Sequence, residues 1–283
     1  MSPFCIEKMK KYYFLCFVVN FLLGMIIAYQ PAPKIAAYIR VKNEIKTIIP
    51  CLDSIDGLFD KIVIIHSNEP DDGSVMAMKK WCKWRLNCHI YEYPHAVMPS
   101  HTTNQQKIKY ENSLAAYYNF GLEKFDPDEY VAKIDADQIY IKPKLKEMLD
   151  FIRMQDKTDD FIFYGFMGYN TFEYKGKLVK YANRPINGGF DHFIVKRKYI
   201  KNFVNFVYYE NLEYLPNLKR HLTKTPSWFH FKKTLKQNLK QIPRDTLKPH
   251  ETQLLSPSEK QEFEQYIRPL LKKHNSVYKN ISL

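Results

Sequence analysis

Asp135 and Asp137 stand two residues apart, directly after the apolar segment 130–134. The segment predicts a buried strand, and in open α/β sheets ligands bind where strands end. Carboxylate oxygens suit Mg²⁺ or Mn²⁺, and a cation held by few protein groups keeps coordination positions free for phosphates. The pair therefore predicts a metal–diphosphate site. The alternative is a simple turn, because Asp-x-Asp is common by chance and aspartate is a frequent turn residue.

Two more polar clusters follow predicted strands. Arg40, Asn43 and Glu44 close the first strand, and the Asp-Asp-Gly-Ser stretch that contains Asp72 follows the second. Carboxylates beside a glycine turn suit ribose hydroxyls or the imino proton of a base, although a turn before a helix has the same composition. Because neighbouring parallel strands end at one edge of a sheet, the three clusters together predict a nucleotide cleft.

The elements that must position these residues alternate between strand and helix patterns. Pro50 predicts that the first helix kinks or begins late, with Asn43 as its N-cap, and Trp81 and Cys82 point inward from the second helix. This alternation predicts an α/β fold with a mostly parallel sheet flanked by helices. Strands are predicted over residues 34–40, 61–66, 88–93 and 130–134, and helices over residues 45–55, 75–85 and 110–125.

The second half of the chain has a different pattern. An aromatic strand is predicted over residues 161–166, followed by a hairpin around Gly176. From Lys196 onward the sequence is irregular and basic until a last helix, which Ser256 or Ser258 caps. The α/β pattern thus passes into a mixed arrangement, with no linker to a second large domain.

The composition supports a packed core, because 45% of the 283 residues are apolar and 15% are aromatic. Global disorder is excluded. The net charge of +13 is concentrated near the end of the chain, with 18 basic against 7 acidic residues from Lys196 onward. Such charge attracts phosphate groups in nucleic acid, anionic lipid or phosphorylated small molecules. We expect no nucleic-acid partner, because zinc-finger, RNP-type and basic-region patterns are absent from the sequence.

The five cysteines predict neither a disulfide framework nor a thiolate metal site. Their number is odd and no C-x-x-C pair is present. We therefore expect buried or incidental thiols in a reducing compartment.

Residues 12–29 form an uncharged, largely apolar run behind Lys8, Lys10 and Lys11. The run is just long enough to span a bilayer, and no clear Ala-x-Ala cleavage site follows it. We therefore predict a transmembrane or signal-anchor helix in residues 1–30 and a single domain over residues 31–283. The alternative is a start codon placed too early, with translation beginning at Met25.

Several short motifs resemble one known family. They are residues 38–44 (Tyr-Ile-Arg-Val-Lys-Asn-Glu), 72–74 (Asp-Gly-Ser), 111–112 with 117–119, 133–140 (Lys-Ile-Asp-Ala-Asp-Gln-Ile-Tyr) and, more weakly, 229–233. Their order and spacing resemble the bacterial β-1,4-N-acetylgalactosaminyltransferases that build ganglioside-like lipooligosaccharide. The resemblance covers residues 36–233, and its Arg-x-Lys-Asn-Glu and Asp-x-Asp segments are the most specific parts.

The resemblance implies a GT-A, Rossmann-like glycosyltransferase that uses a UDP-sugar donor with a divalent metal and inverts the anomeric centre. It implies that Asp72 contacts the uridine. It also implies that Arg40, Asn43 and Glu44 lie near the nucleotide.

The resemblance further implies roles around the metal, Mn²⁺ or Mg²⁺. Asp135 and Asp137 flank the metal and the donor sugar, with Asp135 also a donor contact. His230 lies near the metal or the diphosphate, or else is a packed core histidine. Lys232 neutralises the departing UDP, although Lys232 and Lys233 also fit a basic surface.

Inversion needs a general base that deprotonates the acceptor hydroxyl opposite the leaving group. Asp191 is the candidate base, because the glycines in the preceding stretch 187–190 (Asn-Gly-Gly-Phe) let an acceptor approach closely. A simple turn role for Asp191 is the alternative, and His192 is a competing base.

The predicted partners are a UDP-sugar, a glycan or lipid-linked oligosaccharide acceptor, and a membrane. GalNAc is the favoured sugar, with GlcNAc and hexoses left open because small pocket changes shift preference among epimers. A bacterial source places the catalytic domain on the cytoplasmic face. Two other functions stay open: a catalytically silent nucleotide- or glycan-binding protein, and a metal-dependent nucleotidyl or phosphoryl transferase. The latter is disfavoured by the absence of P-loop and G-x-G-x-x-G motifs.

Overall fold

The computed structural model describes residues 32–99, 103–156, 159–174, 176–207, 209–231, 252–274, 276 and 279–283. The predicted anchor in residues 1–30 and the candidate site residue Lys232 lie outside these ranges. Within them, no helix is both long enough and apolar enough to cross a bilayer. Residues 34–283 cluster into one unit.

Four adjacent parallel strands form one half of the central sheet, in the order β3-β2-β1-β4. The sequences of β1, β2 and β4 are nearly continuous apolar runs, as is typical of parallel strands covered on both faces. β1, β2 and β4 are almost wholly buried. The four strands are β1 (Ile35–Val41), β2 (Lys61–Ser67), β3 (Cys88–Tyr93) and β4 (Tyr130–Asp135).

The other half of the sheet is largely antiparallel, so the sheet is mixed rather than mostly parallel. β8 runs antiparallel to both β4 and β6, and β6 forms the predicted hairpin with β7. β9 and β10 form a separate antiparallel pair. The remaining strands are β5 (Gln138–Tyr140), β6 (Ile162–Tyr174), β7 (Lys177–Tyr181), β8 (Ile186–Lys196), β9 (Ile200–Asn205), β10 (Glu210–Tyr214), β11 (Lys219–Leu222), β12 (Trp228–Phe231) and β13 (Thr252–Leu254).

Helices cover both faces of the sheet. α1, α2 and α4 pack against one face, and α3 packs against the other together with the β9–β10 pair. α5 and α6, joined by a π-helical turn at Phe263–Ile267, pack beside β12. The helices are α1 (Ile48–Ile55), α2 (Ser74–Cys82), α3 (Leu114–Leu122), α4 (Lys142–Gln155), α5 (Pro257–Glu262) and α6 (Arg268–Lys273).

Helix boundaries follow local chemistry. The late start expected from Pro50 is confirmed, since α1 begins at Ile48, but Asn43 is not its N-cap. Asn43 instead has a φ of 58°, a left-handed conformation that asparagine tolerates. The predicted helix over residues 110–125 is shorter, because Ser113 caps α3 by accepting a hydrogen bond from the Ala116 amide at 3.2 Å. Ser256 caps α5 in a capping box, as predicted.

The expectation about the cysteines was wrong. Cys82, at the end of α2, is joined by a disulfide to Cys88, at the start of β3. The pair was missed because the six-residue separation matches no standard spacing motif, and only the turn between the two elements brings the sulfurs together. Cys51 is buried and free, which agrees with the expectation for that residue.

Candidate functional site

The polar residues at the ends of β1, β2 and β4 lie at one edge of the sheet. Arg40 on β1 and Asp135 on β4 are partners in the parallel register, and on the other side Val41 is the partner of His66 on β2. Because parallel strands all run toward this edge, the loops that follow them share one cleft.

Asp137 lies in the turn between β4 and β5, and β12 brings His230 to it. His230 Nε2 is 2.9 Å from Asp137 Oδ2, and its Nδ1 is 3.3 Å from the side-chain amide of Asn187. A carboxylate oxygen and an imidazole nitrogen that converge fit a divalent cation that keeps positions for phosphate. Among the residues that the structure describes, no three His, Cys, Asp or Glu side chains form a group suited to a metal.

Positive charge surrounds the carboxylate of Asp135. Burial acts to raise the pKa of Asp135, but the opposing charge of Lys133, then that of His192 when its ring is protonated, and that of Arg40 hold it well below its usual range. Asp135 is therefore ionised at neutral pH. Arg40 also stacks over the ring of Tyr118, at 4.6 Å from its centroid.

Lys133 forms an ion pair with Asp191 across the cleft, with Nζ 2.9 Å from Oδ1. Lys133 is buried, whereas the Asp191 side chain is 68% exposed. The charge of Lys133 is the main cause that lowers the pKa of Asp191 below its ordinary value, against the smaller opposing effect of burial. Asp191 is thus an ionised carboxylate that ligands can reach.

A bulge in β8 positions Asp191. Phe193 pairs with Gly165 and Gly189 pairs with Phe166, so residues 190–192 stand between consecutive partners on β6. Such a bulge redirects side chains. Gly188 precedes it with a φ of 113°, and a Cβ there would lie 2.5 Å from the Phe166 carbonyl oxygen, so only glycine fits.

His192 is buried beside both carboxylates. Its Nε2 is 3.8 Å from Asp135 Oδ2 and 3.7 Å from Asp191 Oδ2. The Tyr140 hydroxyl donates to Gln138 Oε1, which leaves the side-chain nitrogen of Gln138, Nε2, to donate to His192 Nε2 at 3.1 Å. Burial is the main cause that lowers the pKa of His192, so the ring is neutral at neutral pH. At 1% exposure, His192 is poorly placed to meet an acceptor hydroxyl.

Asp72 joins the loops that follow β1 and β2. One of its oxygens accepts from the Ile45 amide at 3.2 Å, and the other accepts from the amide and the hydroxyl of Ser74. The Ser74 hydroxyl in turn accepts from the Glu44 amide at 2.8 Å. Asn43 and Ser74 border a cleft of about 10 Å³ at this edge, which is room for about one water.

A much larger cavity, about 610 Å³, lies beside the carboxylates. Its walls combine basic, acidic and aromatic groups from β1, β4, β6, β8, β9, β10 and β11, a lining suited to a polar ring-shaped ligand such as a sugar. The lining side chains are Arg40, Lys133, Asp135, Phe163, Phe190, Asp191, Phe193, Phe203, Tyr209, Glu210, Asn211, Leu212, Tyr214 and Arg220.

The sequence predicts that Asp135, Asp137 and His230 lie at one site. It does not identify three charged residues that line the cavity. The position of Lys133 could have been predicted, because residues two apart on a strand face the same side of the sheet and Lys133 therefore faces the same side as Asp135. Glu210 and Arg220 have no such signal in the sequence, since they lie in the region whose pattern is irregular.

Comparisons with known proteins bear on this arrangement. A family model described as beta-1,4-N-acetylgalactosaminyltransferase (CgtA) matches residues 30–275. No curated protein sequence matches the chain.

Solved structures with partial similarity come from TarS of S. aureus. TarS 1–349 has a TM-score of 0.42 and 13% identity, over 70% of this chain and 60% of that chain. TarS 1–349 in complex with UDP has a TM-score of 0.40 and 13% identity, over 85% and 65%. TarS has a TM-score of 0.40 and 12% identity, over 70% and 36%. This chain thus spans less than two thirds of each of these chains.

The family model covers most of the chain and includes the ends of β1, β2 and β4, the β8 bulge and β12. The chain therefore belongs to the β-1,4-N-acetylgalactosaminyltransferase (CgtA) family of glycosyltransferases.

Proposed function

We propose that this protein transfers an N-acetylhexosamine, GalNAc in preference, from a UDP-sugar to a hydroxyl of a glycan or lipooligosaccharide acceptor. Membership of the family supports the sugar and the reaction. The observation on which the proposal mainly rests is the cavity of about 610 Å³ that Asp135 and Asp191 both line. Its volume lies within the range of small-molecule sites.

Asp191 is the general base in this proposal. Because its pKa is lowered, it is ionised at neutral pH, and because it is exposed it can reach an acceptor hydroxyl. Asp191 takes the hydroxyl proton while the acceptor oxygen attacks the anomeric carbon opposite the UDP, so the configuration inverts. Lys133 holds Asp191 in place by their ion pair.

We assign the diphosphate to the neighbouring edge of the cavity. Asp137 and His230, with Asp135 beside them, would hold Mn²⁺ or Mg²⁺, and such a cation would neutralise the charge that develops on the departing diphosphate. We assign the uridine to the part of the cleft that contains Asp72, with Arg40, Asn43 and Glu44 near the nucleotide. Lys232, which follows β12 in the sequence, is assigned to the same diphosphate.

Membrane association is part of the proposal and rests on the sequence of residues 12–29. The segment acts as a single-pass anchor, and a bacterial source places the catalytic domain on the cytoplasmic face. A reporter fused after Leu283 tests this orientation, because an activity confined to the opposite side contradicts it.

The transferase is tested by UDP release from UDP-GalNAc, UDP-GlcNAc and UDP-hexoses, with acceptor glycans, in Mn²⁺, Mg²⁺ or EDTA. Asp191→Asn lowers kcat by about 10²-fold or more, because general base catalysis contributes that much. Asp150→Asn, on α4 and outside the lining of the cavity, is the matched control and keeps full activity. NMR of the product identifies the anomer.

Two results contradict the proposal in different ways. Full turnover by a variant with both Asp135→Ala and Asp137→Ala contradicts the assignment of the metal. Binding of UDP with metal, but no turnover with any donor and acceptor, identifies a catalytically silent binding protein.

A further inference from the structure

The three most exposed large apolar side chains among the described residues lie close together in the sequence. They are Met76, Trp84 and Leu86, which are 78%, 83% and 98% exposed. Trp84 and Leu86 lie in the loop between α2 and β3, which the Cys82–Cys88 disulfide closes into a ring. Single exposed apolar residues are common, but several on one surface with a polar rim mark an interaction site.

Lysines surround these apolar groups. Lys79, Lys80 and Lys83 are exposed, and they follow Met76 by three, four and seven positions, which places all four on one side of the helix. Within the described part of the chain, none of the three lysines forms an ion pair with a carboxylate. We call the six residues Met76, Lys79, Lys80, Lys83, Trp84 and Leu86 the α2 surface. Its charge is complementary to an anionic partner.

The loop of the α2 surface lies at the edge where β1, β2 and β3 begin. The Ile62 amide donates to the Asn87 carbonyl at 2.7 Å, and the Asp60 amide donates to the Ile35 carbonyl at 3.0 Å. The loop and the start of β1 are thus separated by two strand spacings, about 10 Å. The apolar run over residues 12–29 ends six residues before Ile35, a length of chain that spans at most about 20 Å.

We propose that the α2 surface rests on the headgroup region of an anionic bilayer. Trp84 and Leu86 insert at the interface, where tryptophan is favoured, and the lysines pair with lipid phosphates while their stems cover apolar surface. The inference rests on the membrane association proposed above and adds a second, peripheral contact. Two contacts fix the orientation of the domain, with the edge that bears Asp135 and Asp191 turned away from the lipid and open to aqueous UDP-sugar.

Trp84 itself is the reporter for this contact. The chain has three tryptophans, and the other two, Trp81 and Trp228, are buried. The quenching of tryptophan fluorescence by an aqueous quencher therefore reports almost entirely on Trp84. The full chain is reconstituted into vesicles of phosphatidylcholine with or without about one third phosphatidylglycerol. Flotation measures binding, acrylamide measures the exposure of tryptophan, and lipids brominated on the acyl chain measure insertion. Trp84→Phe supplies the background signal.

We expect acrylamide quenching to fall about threefold or more on anionic vesicles relative to neutral ones, with quenching by brominated lipid. Lys79→Glu with Lys80→Glu removes this protection. Lys201→Glu with Lys224→Glu, the matched reversal of two exposed lysines elsewhere, keeps it.

Three results overturn the inference. If the protein floats with the vesicles while acrylamide still quenches Trp84 fully, the α2 surface does not contact lipid, although the proposed anchor does. A protein that does not float overturns both membrane contacts. Protection of Trp84 without quenching by brominated lipid shows that another copy, or another part of this chain, covers the surface. UDP release from the same samples reports on the proposed transferase separately.

Discussion

Replacing Lys133 by methionine isolates the effect of one buried cation on the proposed base. Lys133 Nζ lies 2.9 Å from Asp191 Oδ1. At that distance two opposite charges interact by about 1.4 kcal/mol at the dielectric constant of water, which corresponds to about a factor of ten in an equilibrium constant. The value for water is the appropriate minimum, because Asp191 is largely exposed. Lys133→Met therefore raises the pKa of Asp191.

The sign of the effect on activity follows from the role of a base. A carboxylate base works when it is ionised, so kcat/KM falls as the pH drops through its pKa. The native ion pair lowers that pKa and extends activity into acid. In Lys133→Met the acid limb of the kcat/KM profile moves to higher pH, and the lost interaction of about 1.4 kcal/mol lowers kcat/KM on that limb by about tenfold. Initial rates of UDP release across the acidic and neutral range measure the shift.

A second buried lysine provides the control. Lys180 is as buried as Lys133 and pairs with Glu259 at 2.6 Å, but neither residue lines the cavity. Lys180→Met removes a comparable buried ion pair and leaves the acid limb where it is. An unmoved acid limb in Lys133→Met, in a variant whose circular dichroism is native, would refute the reasoning and remove the main support for Asp191 as base.

Three further outcomes are expected. Gly188→Ala lowers the free energy of unfolding, measured in urea, by about 3 kcal/mol, because the new Cβ meets both a positive φ and a backbone clash. Gly57 also has a positive φ but open space around it, so Gly57→Ala lowers the free energy of unfolding by about 1 kcal/mol. Equal losses in the two variants would contradict this reasoning. Burial acts to raise the pKa of Asp53, but hydrogen bonds, that from Lys273 foremost, lower it to about 2. A lowered folded-state pKa stabilises the fold above the unfolded pKa of about 3.9 and loses that effect as the pH falls toward 2, so Asp53→Asn costs about 2 kcal/mol at neutral pH and much less in strong acid. An equal loss of unfolding free energy in Asp53→Asn at neutral and strongly acidic pH would show that the charge of Asp53 does not stabilise the fold. His230→Ala weakens Mn²⁺ binding in the presence of UDP by about tenfold or more, as measured by titration calorimetry, and an unchanged affinity would remove His230 from the metal site.

The parallel half of the fold was accessible from the sequence because its signals are local. β1, β2 and β4 are short apolar runs, and segments with helical periodicity lie between the parallel strands. The ends of β1, β2, β3 and β4 differ from the predicted ends by no more than one residue. Two helix starts were also accessible from local signals. Ser256 predicts the start of α5 because its side chain caps the helix, and Pro50 predicts the late start of α1 because proline has no amide donor.

The antiparallel half was less accessible. β9, β10, β11 and β12 are short and polar or aromatic, and each becomes a strand through partners that are distant in the sequence or through a tight pairing such as β9 with β10. Such pairings leave little periodicity in the sequence. The sequence from Lys196 onward therefore has an irregular pattern, which does not predict the wall that β10 and β11 contribute to the cavity.

Residue types and local spacing determined the four parallel strands, the edge at which they end, and the carboxylates, Asp135 and Asp137, that follow β4. Tertiary structure alone decided which side chains those carboxylates meet. His230 is 93 residues from Asp137, and Asp191 is 58 residues from Lys133. The physical reason is that a strand pattern specifies which side chains share a face, but not which distant strand supplies the opposite charge. The bulge in β8 and the pairing of β12 with β5 and β6 supply that information only when the chain is folded.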